Sequence, residues 1–210
     1  MGFSQLTEEQ LQTLQEMSNI GMDHAATALS QLMKKNIHLK VPRLLVMDVA
    51  HVPEFLGGAQ LKVVGVYLQI LGDARGNIMM VYTRENAIRM LENLISRDNP
   101  RGALLSELEV SALKEVGNIL ASAYLNALGE RLKMTLIPSV PALSFDMAGA
   151  VLDFVLSAQD ETGDLSFMIE TEFSEDNNTF SGHFFLLPDH ASVDVILRKI
   201  GQSRELRNNL

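Results

Sequence analysis

The sequence predicts an α+β fold: two αβ repeats related by a pseudo-twofold axis share one largely antiparallel sheet, and long amphipathic helices expose the candidate sites. Three observations predict it. Glu16-Met17-Ser18-Asn19-Ile20 and Glu115-Val116-Gly117-Asn118-Ile119 repeat one another 99 positions apart, and each reaches a proline at the same distance, Pro42 and Pro141. Thr7 to Gln10 and Ser106 to Glu109 both read as a capping box nine residues before that glutamate, so two helices start at matching points. Gly76 to Val81 matches Gly182 to Leu187 at an offset of 106, so the repeats realign at their ends after seven extra residues in the second.

The first helix is expected from Thr7 to about Lys35, because Leu11, Leu14, Ala25, Ala28 and Leu32 recur at helical spacing. At about 100° per residue, Leu14, Gly21, Ala25 and Leu32 define its apolar face, and Gln12, Glu16, Asn19 and Asp23 form a stripe on the opposite, solvent side. Strands follow at Ile37 to Asp48, Leu61 to Leu71 and Gly76 to Thr83, with turns at Gly57-Gly58 and Gly72-Asp73, and then a helix from Arg84 to Ile95. The second long helix carries Val110, Leu113, Leu120, Tyr124, Ala127 and Leu128 inward and Ser111, Glu115, Asn118 and Ser122 outward, and Gly129 reads as its C-cap. Strands at Lys133 to Ile137, Asp164 to Phe173 and Phe180 to Leu187 and a helix at Ala191 to Ile200 complete this half. The seven extra residues fit the polar stretches Gln159 to Asp164 and Ser174 to Thr179, and Gln202 to Leu210 reads as a frayed polar end. A repeat of about a hundred residues with a one-sided sheet is small, so residues 1–210 are expected to form a single domain from repeats 7–97 and 106–201.

A net charge of −9 and a pI near 5.0 argue against a nucleic-acid partner, which would need clustered Lys and Arg. The chain has no cysteine, which excludes disulfides, thiolate metal sites and a cysteine nucleophile and fits the cytoplasm. No signal core or membrane-inserting run is evident, since the most apolar stretch, Ala142 to Leu156, is broken by Asp146 and Asp153. His24, His38, His51, His183 and His190 lack ligand spacing, so no metal or cofactor is expected in this chain; the methionines read as core filler. Both a monomer and a homodimer are compatible with a pseudo-twofold chain.

Glutamate is at home in a helix, whereas asparagine in a helix interior costs about half a kcal/mol or more relative to Ala. Two asparagines at matched positions, each three residues after a glutamate on a solvent face, therefore point to chemistry rather than packing. A carboxamide offers a donor and an acceptor, so it can hold a water in a fixed direction without taking its proton, and a neighbouring carboxylate can grip a cation on a partner. That pair suits hydrolysis of an already activated bond, where orientation of water is the missing ingredient; a glutamine orients water in this way in GTPases. It does not suit amide or ester hydrolysis, which wants a nucleophile, a base and an oxyanion hole.

Ser111-x3-Glu115-x2-Asn118-x22-Pro141, together with Glu16-x2-Asn19-x22-Pro42, resembles the CheC/CheX/FliY family of chemotaxis response-regulator phosphatases over roughly residues 7 to 201. The duplicated motif matches the CheC branch, and added terminal regions of the FliY kind are not expected. The resemblance implies hydrolysis of the aspartyl-phosphate of a phosphorylated CheY-type receiver that brings its own divalent metal, Mg. It implies that Asn19 and Asn118 orient the attacking water and that Glu16 and Glu115 pair with the receiver lysine. Pro42 and Pro141 would shape the chain after the helix rather than touch substrate. Ser111 fits the residue type that opens the motif and Gln12 does not, so the first site departs from the pattern. The family also implies a second partner, the receptor deamidase CheD, for which Leu143 to Val151 around Asp146 is the candidate surface. The rival expectation is a non-catalytic adaptor or switch protein that holds receivers or CheD on the same helix faces; Gln12 favours it for the first half and the intact second motif opposes it.

Overall fold

The computed structural model describes residues 7–95, 105–157, 165–175 and 178–208. The first half runs α1 (Glu8–Met33), β1 (Ile37–Asp48), a short helical segment ending in α2 (Val52–Phe55), β2 (Lys62–Gly72), β3 (Gly76–Thr83) and α3 (Arg84–Leu94). The second runs α4 (Glu107–Leu132), β4 (Leu136–Pro138), β5 (Ala142–Met147), α5 (Ala148–Ser157), β6 (Leu165–Glu175), β7 (Asn178–Pro188) and α6 (His190–Asn208).

The two long helices are copies down to their caps. Each has 26 residues and a complete capping box, Thr7 with Gln10 and Ser106 with Glu109. Each ends on a lysine in the left-handed region, Lys34 at φ 53° and Lys133 at φ 55°, whose N–H donates to the carbonyl of Ser30 or Gly129. Gly129 is thus inside α4 rather than its C-cap. A Cβ there would lie 2.6 Å from the Met134 carbonyl oxygen, so the chain leaving the helix folds back against it.

Seven strands form one antiparallel sheet in the order β1-β6-β7-β3-β2-β4, with β5 also paired to β2. Met79 faces Phe185 where β3 pairs with β7. These residues are themselves equivalent at the offset of 106, so the pseudo-twofold axis crosses the sheet between them. Around it the halves interleave: β1 pairs with β6 of the other half, and β4 and β5 pair with β2. Pro42 sits where the register of β1 shifts, between Lys40 and Arg43, and Pro141 sits in the matching break between β4 and β5. Both breaks lie on edge strands, where a residue without an N–H is tolerated.

The sheet is covered on both faces, not one. Val64, Val66, Leu68, Ile78, Met80 and Phe184 pack under α1 and α4, while Val63, Met79, Val81 and Phe185 pack under α2 and α5. β3 is consequently buried without alternation from Gly76 to Tyr82, as expected of a strand with two covered faces. Other expectations shift in detail. Leu32 is exposed, and Leu29, one turn earlier on the inner face, is buried in the core instead. The strand anticipated at Lys133 to Ile137 is confined to β4, and Ala142 to Leu156 divides into β5 and α5. The C-terminal tail continues α6 to Asn208. The insertion placed at Gln159 to Asp164 lies outside the described residues, and Asp176 and Asn177 of the Ser174 to Thr179 candidate do as well.

Candidate functional site

The second motif is held from beneath. Val116 and Gly117 face the sheet, and a Cβ on Gly117 would lie 2.6 Å from Val66 Cγ1 and 3.2 Å from Met80 Cε, so α4 rests directly on β2 and β3. With that side fixed, the helical repeat turns Ser111 and Glu115 out to solvent and leaves Asn118 half-buried. Residues three or four apart on a helix are neighbours with Cβ atoms about 5–6 Å apart, so Ser111, Glu115 and Asn118 form one patch.

The chain between β4 and β5 makes the facing wall. Ser139 is tied to β2 twice, its N–H donating to the Gln69 carbonyl at 2.9 Å and its Oγ accepting from the Gln69 N–H at 2.9 Å. Between this wall and α4 lies an open cleft of about 460 Å3, lined by Ser111, Lys114, Glu115 and Asn118 on one side and Pro138 to Pro141 on the other. Val140 stands at its rim, 84% exposed. Pro141 ends the strand break and also lines the cleft. Lys114 and Val140 were missed by sequence reasoning. Lys114 was findable, because it lies three residues after Ser111 and four before Asn118 and so belongs to the same patch.

The first motif is carried by α1 in the same way. Met17 and Ser18 are buried, Ser18 donating to the Leu14 carbonyl at 2.8 Å, and Gln12, Glu16, Asn19 and Asp23 are exposed as the stripe predicts. Gly21 permits close approach of the two motif helices: a Cβ there would lie 3.0 Å from Tyr124 Cα on α4. Burial pushes the Tyr124 phenol up to about 12, with the Ser18 hydroxyl pulling it partly back. One difference separates the motifs. Gln15, the counterpart of Lys114, donates from Nε2 to the Val41 carbonyl at 3.2 Å and so ties α1 to β1 just before Pro42.

At β5 and α5 three large apolar residues are exposed: Phe145, which pairs with Val64 on the α1 and α4 side of the sheet, Met147 at the end of β5, and Phe154 of α5 on the opposite side. Phe154 makes an edge contact with Tyr67 at 5.2 Å between ring centres. No cluster of three or more His, Asp or Glu able to hold a metal ion occurs among the described residues. No helix among them is long and apolar enough to cross a membrane.

The CheC-like family matches residues 108–145, a segment that contains every residue lining the cleft. Over nearly its whole length the chain is 33% identical to the CheY-P phosphatase CheC of Bacillus subtilis, covering 96% of this chain and 98% of that protein. The chain belongs to the CheC family. Its fold is shared with Thermotoga maritima FliY, at a TM-score of 0.75 and 18% identity over 94% of this chain and 98% of that one. The middle domain of FliM from H. pylori is also similar, at a TM-score of 0.63 and 13% identity over 92% of this chain and 99% of that one. For this CheC-family chain the comparisons fix the family and the fold.

Proposed function

We propose that the chain is a phosphatase that hydrolyses the aspartyl-phosphate of a phosphorylated CheY-type receiver in chemotaxis signalling. The observation that carries this is the pairing of Glu115 and Asn118 on one rigid helix face at the mouth of an open cleft, in a chain 33% identical to a CheY-P phosphatase. Docking places Glu115 against the receiver's active-site lysine, and the ion pair sets the register of the complex. Asn118 then enters the receiver's site with its carboxamide directed at a water. Water oxygen bonds to phosphorus as the bond to the aspartyl oxygen breaks, giving inorganic phosphate and the free carboxylate. The acyl phosphate is already activated, so orientation supplies the rate and no base on this chain is needed. The divalent metal that neutralises the phosphoryl oxygens belongs to the receiver. Glu16 and Asn19 do the same on α1.

The test is the decay of acyl-phosphate on a CheY-type receiver with wild type, Asn19→Ala, Asn118→Ala and the double variant. Wild type accelerates decay, and Asn118→Ala lowers turnover by about 10²-fold or more at that site while binding is retained. Loss only in the double variant marks two working sites. Loss of binding in step with turnover sinks the role assigned to the asparagine.

A second reading, an adaptor that also holds the receptor deamidase CheD, is supported by the exposed Phe145 and Met147 on either side of Asp146 in β5. Phe145→Ser would weaken such a complex in a pull-down with CheD and leave receiver dephosphorylation intact.

A further inference from the structure

Lys114 lines the cleft together with Glu115 and Asn118 and has no ion-pair partner among the described residues. Its sequence neighbour Glu115 cannot serve as one on the helix, because residues i and i+1 do not face each other. Asn118, one turn away, can be its neighbour. Lys114 is half-buried where it lines the cleft, and its three donors are left for whatever enters. A phosphoryl group carries about two negative charges near neutral pH, and its equatorial oxygens take up charge during transfer. The position equivalent to Lys114 in the first repeat is Gln15, which is uncharged and already bonded to the Val41 carbonyl.

We propose that Lys114 is a substrate-binding cation of this cleft that draws the receiver's phosphoryl group toward Asn118, and that Gln15 in its place makes the first site the weaker of the two. The proposal rests on the receiver-phosphatase reading. It also adds to Gln12 a second source of inequality between the sites, at the helix position three residues further on. In the second repeat a free ammonium faces the entering phosphate. In the first, an amide closes the helix onto the strand at that point.

The experiment uses the full chain carrying Glu16→Ala and Asn19→Ala, which leaves only the second site, and a CheY-type receiver activated by beryllofluoride and Mg2+ for binding or phosphorylated for turnover. Adding Lys114→Gln should weaken binding at least fivefold and raise KM similarly with kcat changed less than twofold. It should also flatten the dependence of KM on salt, since a screened charge has been removed. Lys114→Arg should restore most of the affinity, which a packing role of the lysine stem would not require. In the otherwise wild-type chain with Asn118→Ala, Gln15→Lys should raise turnover by the first site. Unchanged affinity and salt dependence in Lys114→Gln would overturn the proposal. Binding without turnover both in this background and in the wild-type chain would defeat the phosphatase reading, and the affinity comparison would still decide the role of Lys114. Failure of the wild-type chain to bind any activated receiver would overturn both.

Discussion

Gly117 and Ser18 occupy the same place in the two repeats, between the glutamate and the asparagine, and both are buried. Each supports its motif from the inner side of the helix, by different means: Gly117 through the absence of a side chain against Val66, and Ser18 through a hydroxyl bonded to its own helix. Gly117→Val should therefore overpack the contact of α4 with β2, lowering stability by about 1–3 kcal/mol in urea unfolding and displacing Asn118 enough to reduce turnover. His183 is a second informative residue. It stands on β7 opposite Glu170, which pairs with Arg43 at 3.5 Å, and its ring meets Phe55 edge-on at 5.6 Å. Burial pushes its pKa below the ordinary 6.5, against the pull of Glu170 and with a small push from Arg43. The unfolded state then binds the proton more readily, so stability rises with pH between the folded and unfolded values and is lost as pH falls below 6.5. His183→Gln should accordingly lose less unfolding free energy between about pH 7.5 and pH 5.5 than wild type, as measured by urea titration at each pH.

At the level of elements, the long helices were the most legible part of the chain, because the capping boxes and the 3.6-residue period are local signals. Ser106→Ala should lower stability by about 1 kcal/mol, and Thr7→Ala should do the same, with the effects adding because the caps lie on different helices. The opposite ends invite stabilisation. Lys133 holds a left-handed conformation that costs a non-glycine residue about 1 kcal/mol or more, so Lys133→Gly should raise the melting temperature by a few degrees, less the entropy glycine adds to the unfolded chain. β5 and α5 were not legible. Asp146 and Asp153 interrupt the apolar run, and the switch from strand to helix at Ala148 depends on contacts remote in sequence: the Ala148 N–H donates to Leu61 and the Gly149 N–H to Ala59. The same holds for α2, four residues long, whose reason for existing is the apolar cover it gives Met79, Val81 and Phe185.

For the whole molecule the decisive feature is interleaving. The hairpin of each half receives its outer strand from the other half, β1 on β6 and β4 with β5 on β2, and the two hairpins meet at Met79 and Phe185. A single fragment, cut in the connection between α3 and α4, would leave its hairpin without the partner's edge strand and expose both cores. We expect residues 7–97 and 106–201 expressed separately to be unfolded by circular dichroism and to regain the native spectrum when mixed; independent folding of either would contradict a single domain for this chain. The sequence by itself determined the repeat, the two long helices with their N-terminal capping boxes, the strands β2, β3, β6 and β7 and the solvent stripes that carry Glu16, Asn19, Glu115 and Asn118. Those follow from periodicity and turn chemistry, which act over a few residues. Only the tertiary structure decided that the halves exchange edge strands, that the sheet is covered on both faces, and that Lys114 and Val140 join the second motif across a cleft. Those depend on which surfaces meet, and burial of apolar area rewards a meeting of surfaces without recording in any short stretch of sequence which partner it will be.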